Sequence, residues 1–189
     1  NIYELWINAE GATIVGIVSF YTYVNNKNIS IKNCKIYDVY GNNTNNDNDY
    51  CNIHSCFIDG CVRGFSSEGF TYNWTLTNNI MTGTSNGGIK DLEDATIDHN
   101  TIFSGSTNCY PLYEIVSSTV TNNIAYSNYF NQSEYPVNCL EKVYDSNMSY
   151  NIVSFGEYEG NKVQNDWCQI ISCTGDDSSE DYYTPVGVS

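Results

Sequence analysis

A six-residue pattern returns along the chain at a nearly constant interval. Leu76-Thr77-Asn78-Asn79-Ile80-Met81 comes back as Val120-Thr121-Asn122-Asn123-Ile124-Ala125, with Ile97-Asp98-His99-Asn100-Thr101-Ile102 between them. The same template fits Ile31 to Ile36, Ile53 to Ile58 and, more loosely, Met148 to Val153. The first positions of the copies are Ile31, Ile53, Leu76, Ile97, Val120 and Met148, and only the last step is distinctly longer than the others. A near-constant period of about 22 residues is the signature of stacked repeats. Each copy alternates like a strand and then breaks at Asn, which tolerates the left-handed backbone of a sharp corner.

Aligned copies form columns. Ile29, Cys51, Trp74, Ala95 and Ser118 share one column, and Ile31, Ile53, Leu76, Ile97, Val120 and Met148 share another two positions on. Period-two alternation points both columns to a common core. Ser30, Asn52, Thr75, Thr96 and Thr119 lie between them and face water. Two columns follow at the corner. Asn33, Ser55, Asn78, His99 and Asn122 fill one; Cys34, Cys56, Asn79, Asn100, Asn123 and Asn151 fill the next. Amides stacked one strand spacing apart hydrogen-bond along the stack, so an Asn ladder is expected through Asn33, Asn78, Asn79, His99, Asn100, Asn122, Asn123 and Asn151. Ile36, Ile58, Met81, Ile102, Ala125 and Val153 open a second inward wall, and Leu92, Ile115 and Val143 mark a third. Coils of about 22 residues stacked about 4.8 Å apart account for all of these columns.

Coil length, inward aliphatic columns and Asn at the turn resemble the right-handed parallel β-helix of the pectate-lyase-like superfamily, over roughly residues 24 to 175. The resemblance implies an all-β solenoid of about six to eight coils, with no single function attached to it. A β-sandwich of short strands is the competing architecture, and it requires no such regular register. One domain is expected over residues 1–175, with Ile170 to Cys173 restoring the repeat phase, followed by an acidic tail over 176–189. The amphipathic helix that commonly caps such enzymes has no counterpart near Gly11 to Val24.

The chain carries 7 basic residues against 22 acidic ones, a formal charge of −15, and Arg63 is its only arginine. That balance excludes the cationic footprint of a nucleic-acid binder and is repelled by an anionic membrane surface. No apolar run is long enough to span a bilayer. The chain begins at Asn1 without Met or leader segment and reads as a secreted, processed protein of an extracellular or cell-surface setting.

Eight cysteines, Cys34, Cys51, Cys56, Cys61, Cys109, Cys139, Cys168 and Cys173, point to disulfides in an oxidising compartment. Their spacings do not match zinc modules. Cys34 and Cys56 share a column in adjacent coils, so their Cα atoms fall within disulfide range, and they are the best single pair. Sequons at Asn28, Asn42, Asn73, Asn131 and Asn147 are glycosylation candidates on the surface.

No cofactor is implied. Asp47 and Asp49, in the polar loop 42–49, lack the glycine and distal glutamate of an EF-hand calcium loop. Asp91, Glu93, Asp94 and Asp98 cluster in a short stretch, and two of them are candidates to flank a glycosidic bond. Solvated edge charges are the simpler reading. His54 is placed outward and His99 in the ladder. Lyases of the resembled superfamily use an Arg or Lys base beside acids that hold calcium, and Arg63 has no such setting, so catalysis on uronic polymers is not expected.

Two functions follow. The first is a structural, self-assembling surface protein. Uncapped solenoid ends join to other copies, as open strand edges do. Compactness, cysteine content and missing caps resemble the sheath protein of filamentous methanogenic archaea. That resemblance implies a disulfide-reinforced, amyloid-like polymer with itself as the principal partner. The second is a polysaccharide-binding or polysaccharide-cleaving β-helix, with glycans as partners and Tyr rings to stack on sugars.

Overall fold

The computed structural model describes residues 1–41, 50–64, 70–83, 88–104, 110–127, 140–144, 146–159 and 162–174. Side chains at 83, 104, 127, 140–144, 153–159 and 162–174 fall outside that description. Among the described residues there is no helix, and twenty strands form one continuous sheet. Every pairing is parallel except one. Strands pair with the strand one repeat earlier and one repeat later, an arrangement compatible with a β-solenoid.

The sheet bends into three ladders. The first runs through Thr13–Val15, Ile29–Lys32, Cys51–His54, Thr75–Thr77, Thr96–Asp98, Thr119–Thr121 and the start of Asn147–Glu159. Its central residues are Ile14, Ile31, Ile53, Leu76, Ile97, Val120 and Met148, in direct register. From Ile31 to Met148 they are wholly buried. Burying one such side chain is worth roughly 1.5–3 kcal/mol, so this column alone is a large part of the core. The step from Ile14 to Ile31 is the shortest in the column.

The second ladder carries Ile36, Ile58, Met81, Ile102 and Ala125 inward. The third carries Val39, Val62, Ile89, Leu92, Leu112 and Ile115 inward. Trp74 fits inside because Gly41 makes room: a Cβ on Gly41 would stand 3.2 Å from the indole and 2.6 Å from Thr71 Oγ1.

The corners are left-handed. Asn33, Ser55, Asn78, His99, Asn122 and Tyr150 all have φ between 52° and 56° where the first ladder turns into the second. Asn28, Asn73, Asp94 and Ser117 do the same where the third returns to the first, with φ from 48° to 60°. Asn, Asp and His are the side-chain-bearing types enriched at such a φ; Ser55, Ser117 and Tyr150 are the exceptions here.

The residue after the first of these corners turns inward. Asn79, Asn100, Asn123 and Asn151 are each 1% exposed. Asn79 Nδ2 donates to Asn100 Oδ1, Asn100 Nδ2 to Asn123 Oδ1, and Asn123 Nδ2 to Asn151 Oδ1, each at 3.0 Å. The same oxygens accept the backbone N–H of the preceding coil at 2.8–3.0 Å. The second amide hydrogens go to the carbonyls of Ile53, Leu76, Ile97 and Val120. Asn33, Asn78, His99 and Asn122, expected in the same ladder, are exposed instead. Their left-handed backbone directs the side chain to water and leaves the inward position to the next residue.

The C-terminal end also departs from expectation. Ile170 to Cys173 does not resume a parallel coil. Lys162–Thr174 runs antiparallel along Asn147–Glu159, pairing Met148 with Cys173 and Asn151 with Ile170. The interval to this strand is short enough for a hairpin, which parallel strands do not permit. The expected tail, 176–189, lies outside the described residues.

Asn100→Leu keeps the branched shape of the side chain but strands the N–H groups of Asn79 and the carbonyl of Leu76 in the core. The expected loss is about 2–4 kcal/mol, read from chemical denaturation. A loss under about 0.5 kcal/mol, the range of neutral surface changes, would mean that the amide row carries no stability.

Candidate functional site

The third ladder makes a bend of its own at Asp91 and Glu114, both left-handed at φ 59° and 51°. They are stacked neighbours, because Lys90 pairs with Tyr113 and Leu92 with Ile115 on either side. Asp91 is buried and its carboxyl is hydrogen-bonded to that of Glu114. Burial first, then the hydrogen bond and the charge of Glu114, push the Asp91 carboxyl up from 3.8 to about 6; Lys90 and Arg63 pull the other way. A carboxyl–carboxylate contact of this kind holds one proton between two acids.

Lys90 stands beside Arg63 in register, and Arg63 beside Tyr40. The Arg63 guanidinium lies 4.4 Å over the Tyr40 ring. Tyr40 in turn stacks on Tyr23 at 5.2 Å, and Tyr23 on Trp6 at 4.1 Å. At the far end Tyr113 stacks on Tyr110 at 5.3 Å. One outward column therefore reads aromatic, cation, cation, aromatic. Beneath it Asp38 is buried and accepts from Tyr40 Oη at 2.8 Å and from the Cys61 N–H at 2.7 Å. Burial, followed by the hydrogen bond and charge of Asp38, raises the Tyr40 phenol. Burial and then Asp38 push the Cys61 thiol up to about 12.

The four acids marked by their spacing do not converge. Asp91 is buried at its bend, Glu93 is half-buried further along the strand, and Asp94 is exposed at the next corner. Asp98 lies on the first ladder, where it accepts from Thr121 Oγ1 at 2.7 Å, Asn122 Nδ2 at 2.9 Å and His99 Nδ1 at 2.7 Å. Burial would raise its carboxyl, but these three bonds outweigh it and hold it below the usual range. His54 Nδ1 is 2.9 Å from Thr77 Oγ1. Asp47 and Asp49 lie outside the described residues, as do Asn42 and Asn131. Glu114 has no place in the four-acid cluster; its signal is the repeat itself, which sets it one coil after Asp91.

Asn28 and Asn147 are exposed and Asn73 is half-buried, so the sequons that are described reach the surface. Asn28 Nδ2 donates to Glu10 Oε1 at 3.1 Å.

Disulfides find no support at the described cysteines. Cys34, Cys56 and Cys61 are buried free thiols, and Cys51 is buried beside them in the core. Cys109 and Cys139 lie outside the described residues, as do the side chains of Cys168 and Cys173. Cys34 and Cys56 do stack, but side chains in one parallel column project the same way, about 4.8 Å apart, whereas a disulfide needs Cβ atoms about 3.8 Å apart. The thiols instead prolong the amide row. Cys56 N–H donates to Asn79 Oδ1 at 2.9 Å, and Cys34 N–H points at Cys56 Sγ at 3.5 Å. Cys56 Sγ donates to the Ile31 or His54 carbonyl, at 3.7 and 3.4 Å. Burial pushes this thiol up to about 11, which keeps it protonated as a donor.

No family model matches the chain, and neither a curated protein nor a solved structure does.

Two outcomes are expected. The folded state holds a proton on Asp91 that the unfolded chain releases above its ordinary value, so this acid makes stability fall as pH rises from about 4 to about 6. Asp91→Asn, compatible with the left-handed bend, removes that slope and raises stability at pH 7 by about 1 kcal/mol, after allowance for solvent screening. Denaturation midpoints of both proteins at acid and neutral pH measure it, and parallel pH profiles would contradict it. Second, a thiol reagent leaves Cys34, Cys56 and Cys61 unmodified in the native protein and labels all three after unfolding without reductant. A recovered Cys34–Cys56 linked peptide would reverse the assignment.

Proposed function

We propose that this chain is a right-handed parallel β-helix of about six to eight coils, each of about 22 residues and tied by its Asn row, that assembles end to end into an extracellular filament or sheath. The observation that carries the reading is the state of the outermost strands. Ile2–Ile7 and Thr13–Val15 are paired on one side only among the described residues, and so are Leu140–Tyr144 and Lys162–Thr174. A row of unpaired N–H and C=O groups is a template for another chain, and burying one such group without a partner costs about 1–3 kcal/mol. Tyr3 and Trp6, 68% and 49% exposed, are the last rings of their stacks and leave a face open at the same end.

The antiparallel Lys162–Thr174 strand changes how a joint is made. A neighbouring copy meets the outer edge of that strand, so the amide row stops within each subunit and backbone hydrogen bonds carry the joint. The charge of −15 opposes assembly, and salt assists it by screening.

A second reading, anionic-glycan binding, is favoured by the column Tyr40–Arg63–Lys90–Tyr113. It places two of the chain's seven cations side by side between aromatic rings.

Electron microscopy and sedimentation across concentration and salt separate the two. Filaments are expected above a critical concentration that falls as salt rises. Tyr3→Asp/Trp6→Asp, which places charge on the open end, is expected to raise that concentration by about tenfold, equivalent to about 1.4 kcal/mol. A wild-type protein that stays monomeric at high salt and binds an acidic polysaccharide in an Arg63-dependent way would replace the structural reading with the glycan one.

A further inference from the structure

The outward side of the second ladder is mostly apolar, interrupted by Lys35 and Thr101. Val18, Lys35, Phe57, Ile80, Thr101, Ile124 and Ile152 follow one another in register. Val18, Phe57, Ile80, Ile124 and Ile152 are between 38% and 51% exposed. A second outward row runs beside it, with Phe20 stacked on Tyr37 at 4.5 Å and Phe103 on Tyr126 at 5.3 Å. Between the rows, at the N-terminal end, lies a hollow of about 380 Å³. Core packing does not account for these side chains, since the inward residues of the same strands already fill the interior. An exposed β-branched and aromatic strip of this length marks an interaction surface.

We infer that this face is a lateral self-association surface, through which filaments of this protein lie side by side. The inference rests on the end-to-end reading above. Charge identifies a second copy as the occupant. The chain carries −15, so two copies repel over most of their surface. On this face the described charges are Lys35 and Asp59, which cancel. Both are held within it: Lys35 Nζ lies 5.6 Å over the Phe57 ring, and Asp59 Oδ1 accepts from Thr82 Oγ1 at 2.8 Å. This is a strip along which two such chains approach without like charges meeting. Repeat matching points the same way. Side chains one strand spacing apart, about 4.8 Å, leave gaps that only a surface with the same repeat fills rung by rung, and another copy has that repeat.

Area decides when it happens. Seven rungs about 4.8 Å apart and a face about 10 Å wide give roughly 300 Å² per copy. Both copies together bury roughly 600 Å², about half of the roughly 1,200 Å² at which specific interfaces begin. Single molecules therefore do not pair through this face. Filaments do, because each subunit adds a contact to one already made and the contacts act together.

The test compares wild type with Ile80→Lys/Ile124→Lys and with the milder Ile80→Thr/Ile124→Thr, which keeps strand propensity. Each is assembled at high salt, checked by circular dichroism for an unchanged fold, and measured by electron microscopy and sedimentation. Expected for wild type are paired or bundled filaments. Expected for both variants are single filaments at an unchanged critical concentration, with the bundled fraction down at least about tenfold. Three results overturn the lateral surface alone: wild-type filaments that stay single, variants that bundle like wild type, or bundling that appears only when a polysaccharide is added. Absence of wild-type filaments overturns the end-to-end reading, and the lateral surface with it.

Discussion

Where the first ladder turns into the second, one short segment has to satisfy two demands. The backbone must pass through a left-handed residue, which costs an ordinary L-residue about 1–2 kcal/mol. The residue after it is then driven into the core, where any unpaired polar group is expensive. An asparagine amide answers the second demand completely. Its oxygen takes the backbone N–H and the amide of the coil before it, and its nitrogen reaches a carbonyl of the coil before it and the amide of the coil after it. The amide works only if the coils are in register, so the row locks the register, and the register keeps the aliphatic columns pure. A slip of one position would turn the entire aliphatic column to water.

The columns were legible because strand alternation and a near-constant interval are written directly in residue type. The same alternation placed Ile29, Cys51, Trp74, Ala95 and Ser118 inward, and all five are buried. The corner was half legible. Asn–Asn pairs mark it, but composition does not say which amide of a pair faces in; that depends on the sign of φ at the first. Cysteine number pointed to disulfides, whereas the backbone geometry of a parallel column makes Cys34 and Cys56 stand-ins for the amides. The C-terminal hairpin was not legible at all. Ile170 to Cys173 fits the repeat by phase, and strand direction leaves no trace in a local pattern. Glu114 was readable only by carrying the column rule from aliphatic to acidic residues.

The same architecture sets where this molecule is unsatisfied. Along the sides, hydrogen bonds are made coil to coil; among the described residues, the outermost strands are paired on one side only. Charge acts in the opposite sense, since a chain at −15 resists its own kind. In the filament proposed above, assembly would depend on the balance between open backbone edges and long-range repulsion. Salt shifts the second without touching the first. The protonated Asp91–Glu114 pair removes one negative charge from this balance below about pH 6, which links acidity to the state of the third ladder.

The central claim is that the buried amide row, as much as the backbone ladder, holds the coils together. Hydrogen exchange of single backbone amides reads it directly. The N–H groups of Cys56, Asn79, Asn100 and Asn123 have side-chain oxygens as acceptors. If the row is formed in solution, these four exchange as slowly as the amides of the central aliphatic column, through global unfolding only. If they exchange at the rate of an unstructured peptide while the strand amides stay protected, the row is not formed and the account is wrong.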